Sequence, residues 1–323
     1  MNDDTTIIKQ RRVVIVLQIV VLLFILGGLF SAYVMGKQQT AAIPGTVNLD
    51  EAPLKQSNAE VPSAMENVTV RAKAAFVYDV AGKRVLYSKN AESPLPLASI
   101  TKLMTALLAH ELVDTNADAT ISNRALMEEG SNNLVPGEQM TIEELNKLAL
   151  VSSSNDAAFA LGANVGALLG NNDPTAQFVS GMNIRAEELE LTSFNFKNTT
   201  GLDLSPNEAG AVGSARDVSG LMAHILTTNP DMLLPTTKAA GRAYSNDGSY
   251  HDLENTNEVI YAIPNLLGSK TGYTDLAGGN LTIAFDAGLN RPIIVTVLGS
   301  TREERFSDVV RLVKAVQANI SEL

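Results

Sequence analysis

The sequence contains no cysteine and only three histidines, and these shortages exclude several kinds of site. Without cysteine there is no disulfide framework, no thiol nucleophile and no cysteine-based metal centre. The three histidines, His110, His224 and His251, do not have the spacing of a zinc motif. These shortages argue against a metal centre built on cysteine or histidine.

Positive charge is also scarce, since 24 lysines and arginines stand against 35 aspartates and glutamates, for a net charge of −11. A protein that binds a phosphate backbone normally presents a basic face. Nucleic acid is therefore not an expected partner. The chain also lacks a Gly-rich phosphate loop ending in Gly-Lys-Ser/Thr and the Gly-x-Ser-x-Gly turn of many serine hydrolases.

A long apolar run near the N-terminus is the clearest physical signal that is present. Residues 13–35 carry no charge, and a helix of this length spans roughly 30 Å, the thickness of the hydrocarbon core of a bilayer. Lys9, Arg11 and Arg12 precede the run, whereas Lys37 stands alone just after it. This bias predicts a single-pass cell-membrane anchor with the N-terminus in the cytoplasm.

The anchor hypothesis divides the chain into four parts. Residues 1–12 form a cytoplasmic tail, 13–35 the membrane helix, 36–66 a flexible linker rich in Ala, Pro and polar residues, and 67–323 an extracytoplasmic catalytic domain on the periplasmic or cell-wall side. A cleaved signal peptide is the alternative, with residues 34–36 as its cleavage site. The apolar run is long for a signal peptide, which favours the uncleaved anchor.

Strand-like and helix-like patterns are distributed unevenly after residue 67. Two runs around Gly82 predict a β-hairpin, and three strand-like runs lie within residues 266–300. Helix-start signals fill the middle and the end, at Thr141, Asp173-Pro174, Ser214 and Thr301. The order predicts an α+β fold, with an antiparallel sheet built from both ends of the chain, flanking helices and an α-helical subdomain.

A possible nucleophile lies at the start of one helical run, in "PLPLASITKLMTALLAHEL", where Ser99 precedes Lys102 by three residues. A serine hydroxyl is a weak nucleophile unless a base removes its proton, and residues three apart on a helix share a face. A Ser-x-x-Lys string is expected about once by chance in a chain of this length. Taken alone, the motif favours an ordinary lysine whose charged end reaches solvent.

Two further polar motifs bear on this choice. Ser153-x-Asn155 stands directly before an apolar helical stretch, where a polar cluster is expected to cap the helix. Lys270-Thr271-Gly272 occurs at the end of a strand-like run, where a small residue lets a ligand lie close to the backbone. Each motif alone has a plain structural explanation.

Together, in this order, the three motifs resemble those of the penicillin-recognising serine enzymes. The sequence around them, including "LVPGEQMTIEELNKLALVSSSNDAAFALG" and "GSKTGYTDLAGGNL", resembles one branch, the D-alanyl-D-alanine carboxypeptidases or low-molecular-weight penicillin-binding proteins. The resemblance covers roughly residues 68–320. It implies the β-lactamase/DD-peptidase-like fold and identifies Ser99 and Lys102 as a catalytic pair.

The resemblance also implies a substrate and roles for the residues. Ser99 is expected to attack the carbonyl between the terminal D-alanines of a peptidoglycan stem peptide, with Lys102 as general base and Ser153 as proton relay. Asn155 is expected to bind a substrate amide. Lys270 and Thr271 are expected to hold the substrate's terminal carboxylate, and the backbone amides of Ser99 and Tyr273 to form the oxyanion hole; Gly272 completes the third motif as a substrate-binding residue. β-Lactam antibiotics are expected to acylate Ser99 and to remain attached, and the mechanism requires neither a metal ion nor an organic cofactor.

The sequence departs from the family pattern at two places. Ser154 occupies a position that is often glycine, and Tyr273 one that is often histidine, which bears on substrate preference more than on reactivity. The alternatives are a DD-endopeptidase of peptidoglycan cross-links, a β-lactamase and an inactive peptidoglycan-binding scaffold. A β-lactamase needs a second base for water, for which Glu187, Glu188 and Glu190 are candidates.

Overall fold

The computed structural model describes Met65 and residues 67–130, 134–170 and 172–320. The predicted cytoplasmic tail, the membrane helix at 13–35 and almost all of the linker lie outside these residues. None of the helices in the described part of the chain has the length and apolarity needed to cross a membrane. The anchor therefore stays a prediction.

Twelve strands and six α-helices are formed by the described residues. The strands are β1 (Ala74–Asp79), β2 (Arg84–Lys89), β3 (Leu95–Pro96), β4 (Asp118–Thr120), β5 (Gln139–Thr141), β6 (Asn195–Phe196), β7 (Ala211–Gly213), β8 (Ala240–Tyr244), β9 (Tyr250–Glu254), β10 (Leu266–Thr274), β11 (Gly278–Asp286) and β12 (Pro292–Ser300). The helices are α1 (Lys102–Leu112), α2 (Ile142–Leu150), α3 (Asn155–Leu169), α4 (Pro174–Glu188), α5 (Ala215–Thr228) and α6 (Glu304–Ala318).

The main sheet has five strands in the order β10-β11-β12-β1-β2, and all neighbours are antiparallel. Ala74 of β1 lies opposite Leu298 of β12, so the early and late parts of the domain meet in the middle of the sheet. This arrangement confirms the prediction of an antiparallel sheet built from both ends of the domain.

Both faces of this sheet are covered, which explains why its central strands are apolar almost throughout. On β1, Phe76 and Tyr78 point into a core shared with α1 and α5, whereas Ala75 and Val77 point into a second core under α6. Successive side chains on a strand face opposite ways, so each face receives its own apolar set. The sheet therefore lies between two helical layers.

The helical subdomain consists of α2, α3 and α4, which pack against α1 and against one another. The sequence signals for helix starts are confirmed, since Thr141, Asp173 and Ser214 each accept a hydrogen bond from the amide three residues later, at 3.2, 3.0 and 3.1 Å. Such caps satisfy amides that have no partner within the helix. They fix where α2, α4 and α5 begin.

Candidate active site

Ser99 lies in a short 3₁₀ turn, Ala98–Thr101, which runs directly into α1. Ala98, the residue before it, has a φ of +49°, a conformation that costs energy for a residue with a side chain. Ser99 is half-buried, and its Oγ lies 2.8 Å from Nζ of the fully buried Lys102. The structure thus places the two residues of the first motif in direct contact.

Lys102 Nζ has two further partners, Asn155 Oδ1 at 2.7 Å and the Thr200 carbonyl oxygen at 2.7 Å. Both of these atoms can only accept hydrogen bonds. A neutral amine satisfies them with its two protons and leaves its lone pair facing the Ser99 hydroxyl. Burial lowers the pKa of Lys102 to about 7, against the opposing effect of the Glu128 charge, so much of the amine is neutral near pH 7.

The second motif forms another wall of the site, but the cap of its helix is not the residue that the motif suggests. Ser154, which is fully buried, caps α3 by accepting from the Ala157 amide at 3.1 Å. Ser153 has a φ of +60°, and its Oγ accepts a hydrogen bond from Lys270 Nζ at 2.8 Å. The serine at the usual glycine position therefore has a structural task.

Asn155, the first residue of α3, uses both ends of its side-chain amide within the protein. Oδ1 accepts from Lys102, and Nδ2 donates to the Glu129 carbonyl oxygen at 2.6 Å. Asn155 therefore fixes the position of the Lys102 amine, a task that its predicted substrate contact did not include.

Lys270 lies on β10 and is 1% exposed. Its Nζ donates to Ser153 Oγ and, at 3.0 Å, to the Thr271 carbonyl oxygen. Burial lowers the pKa of Lys270 well below its usual value, and the charges of Lys102 and Arg305 act in the same direction. An opposite charge brought into the cleft reverses this effect, because it favours the ammonium form.

Gly272 is where β10 approaches the Ser99 turn most closely. A Cβ at this position would lie 2.8 Å from the Leu97 carbonyl oxygen and 3.2 Å from the Ser99 amide nitrogen. Glycine is therefore required for packing. It also lets β10 lie close to the Ser99 amide.

These elements surround a cleft of about 580 Å³. Its lining comprises Ser99, Ser152, Ser153, Asp252, Glu254, Asn255, Thr256, Glu258, Thr271, Gly272, Tyr273, Arg302 and Arg305. Five members of the predicted site are among these residues. Lys102 and Lys270 touch the cleft through Ser99 and Ser153, and Asn155 contacts Lys102 behind it. No group of three or more His, Asp or Glu side chains among the described residues could hold a metal ion.

Arg305 is a cleft residue that the sequence analysis missed. It is 6% exposed, donates from Nη1 to the Gly272 carbonyl oxygen at 2.8 Å, and its Nε has no partner among the described residues. Burial lowers the pKa of Arg305 to about 10, which leaves it charged at neutral pH. A buried cation with a free donor beside Gly272 favours an anionic ligand at this end of the cleft.

Asn280 on β11 is a second residue that the sequence analysis missed, and it binds the segment that precedes Ser99. Its side chain is fully buried; Nδ2 donates to the Pro96 and Leu97 carbonyl oxygens at 2.9 and 3.0 Å, and Oδ1 accepts from the Gly299 amide at 2.8 Å. These bonds tie the segment before Ser99 to the main sheet. The only sequence signal for Asn280 is its place in the family-like stretch "GSKTGYTDLAGGNL".

The family profile of the D-alanyl-D-alanine carboxypeptidases matches residues 58–302. The chain belongs to this family. It is 34% identical over 247 residues to the D-alanyl-D-alanine carboxypeptidase DacF of Bacillus subtilis, covering 75% of this chain and 61% of DacF. A D-alanyl-D-alanine endopeptidase of Pseudomonas aeruginosa is 31% identical over 247 residues, covering 74% and 75% of the two chains. The chain thus spans about three fifths of the length of DacF.

A solved structure with the same fold is that of a penicillin-binding protein from Listeria monocytogenes in its ampicillin-bound form. It is 29% identical, has a TM-score of 0.63 and covers 77% of this chain and 98% of its own. This likeness confirms the penicillin-binding protein fold, with an antiparallel sheet and flanking helices, that the three motifs implied.

The three glutamates considered as a β-lactamase water base lie elsewhere. Glu187 and Glu188 end α4 and Glu190 follows it, and all three are exposed and absent from the cleft lining. The buried residues of this helix are Phe178, Met182 and Ala186. Their positions therefore do not place any of the three carboxylates where it could activate water beside Ser99.

Proposed function

We propose that this protein is a serine D-Ala-D-Ala carboxypeptidase that removes the terminal D-alanine from peptidoglycan stem peptides. The observation that carries the proposal is the contact between Ser99 and the buried amine of Lys102. This contact opens on a cleft that Arg305 also lines, and the buried Lys270 touches the cleft through Ser153. A nucleophile with two cations close by suits a substrate whose scissile bond lies one residue from a carboxylate.

In the proposed acylation, the Ser99 proton passes to Lys102 as Oγ bonds to the carbonyl carbon of the penultimate D-alanine. Lys270, Thr271 and Arg305 hold the terminal carboxylate, whose charge favours the ammonium form of Lys270. The carbon–nitrogen bond then breaks, and the leaving amine takes a proton. Ser153, which contacts Lys270 Nζ, relays this proton.

Two backbone amides stabilise the oxyanion that forms during this step. The amides of Ser99 and Tyr273 suit this task, because Gly272 allows β10 to lie against the Ser99 turn. Each donor of an oxyanion hole contributes about 3–4 kcal/mol. Water then attacks the ester, releases the shortened peptide and restores Ser99. A β-lactam follows the first half of this path and leaves a slowly hydrolysed ester.

Hydrolysis of peptidoglycan cross-links is the second candidate function. The chemistry is identical, since the bond that breaks again follows a D-alanine carbonyl, and a relative at 31% identity bears the name endopeptidase. The two activities differ only in what the leaving group carries beyond the cleft.

We also propose that residues 13–35 anchor the protein in the cell membrane and that residues 67–323 work outside it. The uncharged run and the preceding Lys9, Arg11 and Arg12 support this proposal. Fractionation of cells that express the full chain tests it. Retention of full-length protein in membranes after an alkaline wash supports an anchor, and release of a shortened soluble form contradicts it.

The catalytic proposal is tested by the intact mass of the full chain at intervals after addition of benzylpenicillin, with Ser99→Ala alongside. We expect a slowly decaying adduct on the parent protein and none on the variant. Rapid penicillin turnover would instead favour a β-lactamase. A correctly folded parent without any adduct would remove the nucleophile assignment and favour a scaffold.

A further inference from the structure

The β8–β9 hairpin presents an ordered polar and aromatic surface to solvent. Arg242 pairs with Asp252 across the two strands, and Tyr244 pairs with Tyr250. These four residues and Glu254 are exposed on the same side of the hairpin, which we call the outer hairpin face. The alternate positions point into the protein, where Ala243 and Leu253 are buried.

The side chains of the outer hairpin face are held in place by one another. The rings of Tyr244 and Tyr250 lie 6.2 Å apart, and the two residues are 49% and 47% exposed. The Arg242 guanidinium lies 4.1 Å from the centre of the Tyr250 ring, and its Nε lies 3.4 Å from Asp252 Oδ1. Two half-exposed rings beside a stacked arginine form a surface suited to binding a ligand.

The hairpin is also fastened firmly to the helical subdomain. Ser245 Oγ donates to Glu138 Oε1, and His251 Nε2 lies 2.5 Å from the same oxygen. Asn246 donates from its amide to the Gln139 carbonyl oxygen at 2.8 Å. Because these contacts fix both strands, the outer hairpin face needs little ordering when a ligand binds, which lowers the entropic cost of binding.

The outer hairpin face begins inside the catalytic cleft, at the end that serves the leaving group. Asp252 and Glu254 line the cleft, and the Glu254 amide donates to Ser152 Oγ at 3.2 Å. Just beyond the hairpin, Thr256 Oγ1 lies 2.6 Å from Thr271 Oγ1. In the proposed reaction Thr271 holds the carboxylate of the departing residue. The hairpin therefore leads away from the leaving group.

A single departing D-alanine does not reach the two tyrosines. Tyr250 lies four positions before Glu254 on β9, so the two residues are about 13 Å apart along the strand. Only a leaving group that continues as a chain can touch both the cleft and the rings. The proposed substrate offers such a leaving group in its cross-linked form, where the scissile nitrogen belongs to a second stem peptide.

We propose that the outer hairpin face binds the leaving stem peptide of a cross-linked substrate and so favours cleavage of cross-links. This inference rests on the proposed function and extends the same cleft. The tyrosine rings pack against the aliphatic parts of the second peptide. Arg242, Asp252 and Glu254 supply charges of both signs for its carboxylate and ammonium groups.

The test compares two sugar-free substrates with one protein. One is a linear peptide ending in D-Ala-D-Ala, and the other is a cross-linked peptide dimer with the same scissile bond. The variant is the full chain carrying Tyr244→Ala and Tyr250→Ala, with Tyr244→Phe and Tyr250→Phe as the conservative pair. Tyr261→Ala is the matched control, because Tyr261 is 90% exposed and absent from the cleft lining.

We expect kcat/KM for the dimer to fall about tenfold or more in the double alanine variant, as two aromatic contacts are lost. The linear peptide, penicillin acylation and the melting temperature stay unchanged. The phenylalanine pair and the Tyr261 variant retain dimer cleavage. Equal losses on both substrates, or no loss on the dimer, would overturn the proposal.

Three other results distinguish this inference from glycan binding and from failure of the proposed function. If a loss appears only when the substrates carry their sugars, the outer hairpin face binds glycan and the peptide proposal is wrong. If the parent cleaves the linear peptide and not the dimer, the inference fails while the proposed function stands. If the parent cleaves neither substrate and is not acylated by penicillin, the proposed function itself fails.

Discussion

The Lys102 amine lies 2.8 Å from Ser99 Oγ, and its two other partners are oxygens that can only accept hydrogen bonds. Asn155 Oδ1 and the Thr200 carbonyl oxygen thus orient the lone pair of a neutral Lys102 toward the serine proton. The proposed role of Lys102 as base therefore depends as much on these two acceptors as on the spacing of the first motif.

Replacement of this base isolates its contribution. Lys102→Met retains the length and the apolar stem of the buried side chain but removes the amine. We expect the second-order rate of acylation by benzylpenicillin to fall about 10²- to 10⁴-fold, the range for a general base. Stopped-flow or intact-mass kinetics measure it. Lys197→Met is the control, since Lys197 is exposed and pairs with Glu208; a similar loss there would refute the assignment.

The pH dependence of acylation follows from the lowered pKa of Lys102. Because the neutral amine is the reactive form and its pKa is about 7, the rate rises with pH up to a plateau above that value. Below pH 6 it falls about tenfold per pH unit. Rates measured from pH 5 to 9 check this limb, and a midpoint near 10 would show that burial does not tune the amine.

Glu128 provides a second test of the same pH profile, because it contributes to the pKa of Lys102. Its negative charge raises the pKa of Lys102, opposing the effect of burial. Glu128→Gln therefore moves the acid limb of the acylation profile to lower pH while the plateau rate stays the same. A shift to higher pH, or none, would contradict the electrostatic coupling.

Gly272 is expected to tolerate no side chain. In Gly272→Ala the new Cβ would lie 2.8 Å from the Leu97 carbonyl oxygen, so the Ser99 turn or β10 must move. A displacement of this kind costs acylation about 10²-fold. Gly241→Ala is the control, because the nearest atom to its Cβ is a Leu253 methyl at 3.6 Å. Equal activity of the two variants would exclude a steric role.

Asn280 gives a prediction for stability. Asn280→Ala removes a fully buried amide side chain and its three hydrogen bonds, to the carbonyl oxygens of Pro96 and Leu97 and from the Gly299 amide. We expect the free energy of unfolding to fall by at least about 2 kcal/mol, together with slower acylation. Urea unfolding measures the first effect. The exposed Asn116→Ala is the comparison, expected to change stability by less than about 0.5 kcal/mol.

Glu187, Glu188 and Glu190 test the β-lactamase alternative directly. All three are exposed and outside the cleft lining, so their combined replacement by glutamine leaves the decay rate of the penicillin adduct unchanged. The mass of the adduct followed over hours gives this rate. A large increase in adduct lifetime would identify one of them as the water base.

Local signals predicted the parts of the structure that local interactions determine. The caps at Thr141, Asp173 and Ser214, the β1–β2 hairpin around Gly82 and the i, i+3 contact of Ser99 with Lys102 need only short stretches of chain. The resemblance to a known family supplied the grouping of the three motifs.

What the sequence did not predict depends on contacts between distant segments. Thr200 offers its backbone carbonyl to Lys102, and any residue type carries such an oxygen. Arg305 lies on a helix that starts like many others and reaches the cleft because α6 packs against β11 and β12. At the second motif, Ser154 caps the helix, and Ser153 takes a positive φ and contacts Lys270. Such outcomes follow from tertiary packing.

The central pairing of β1 with β12 has a consequence for the order in which this protein acquires activity. Ala74 has its partner at Leu298, and the segment before Ser99 is tied to Asn280. Pairings so far apart in sequence form slowly. During synthesis the nucleophile emerges early, yet it has no settled position until β11 and β12 have joined the sheet. We therefore expect the nascent chain to be inactive until most of the domain has been synthesised.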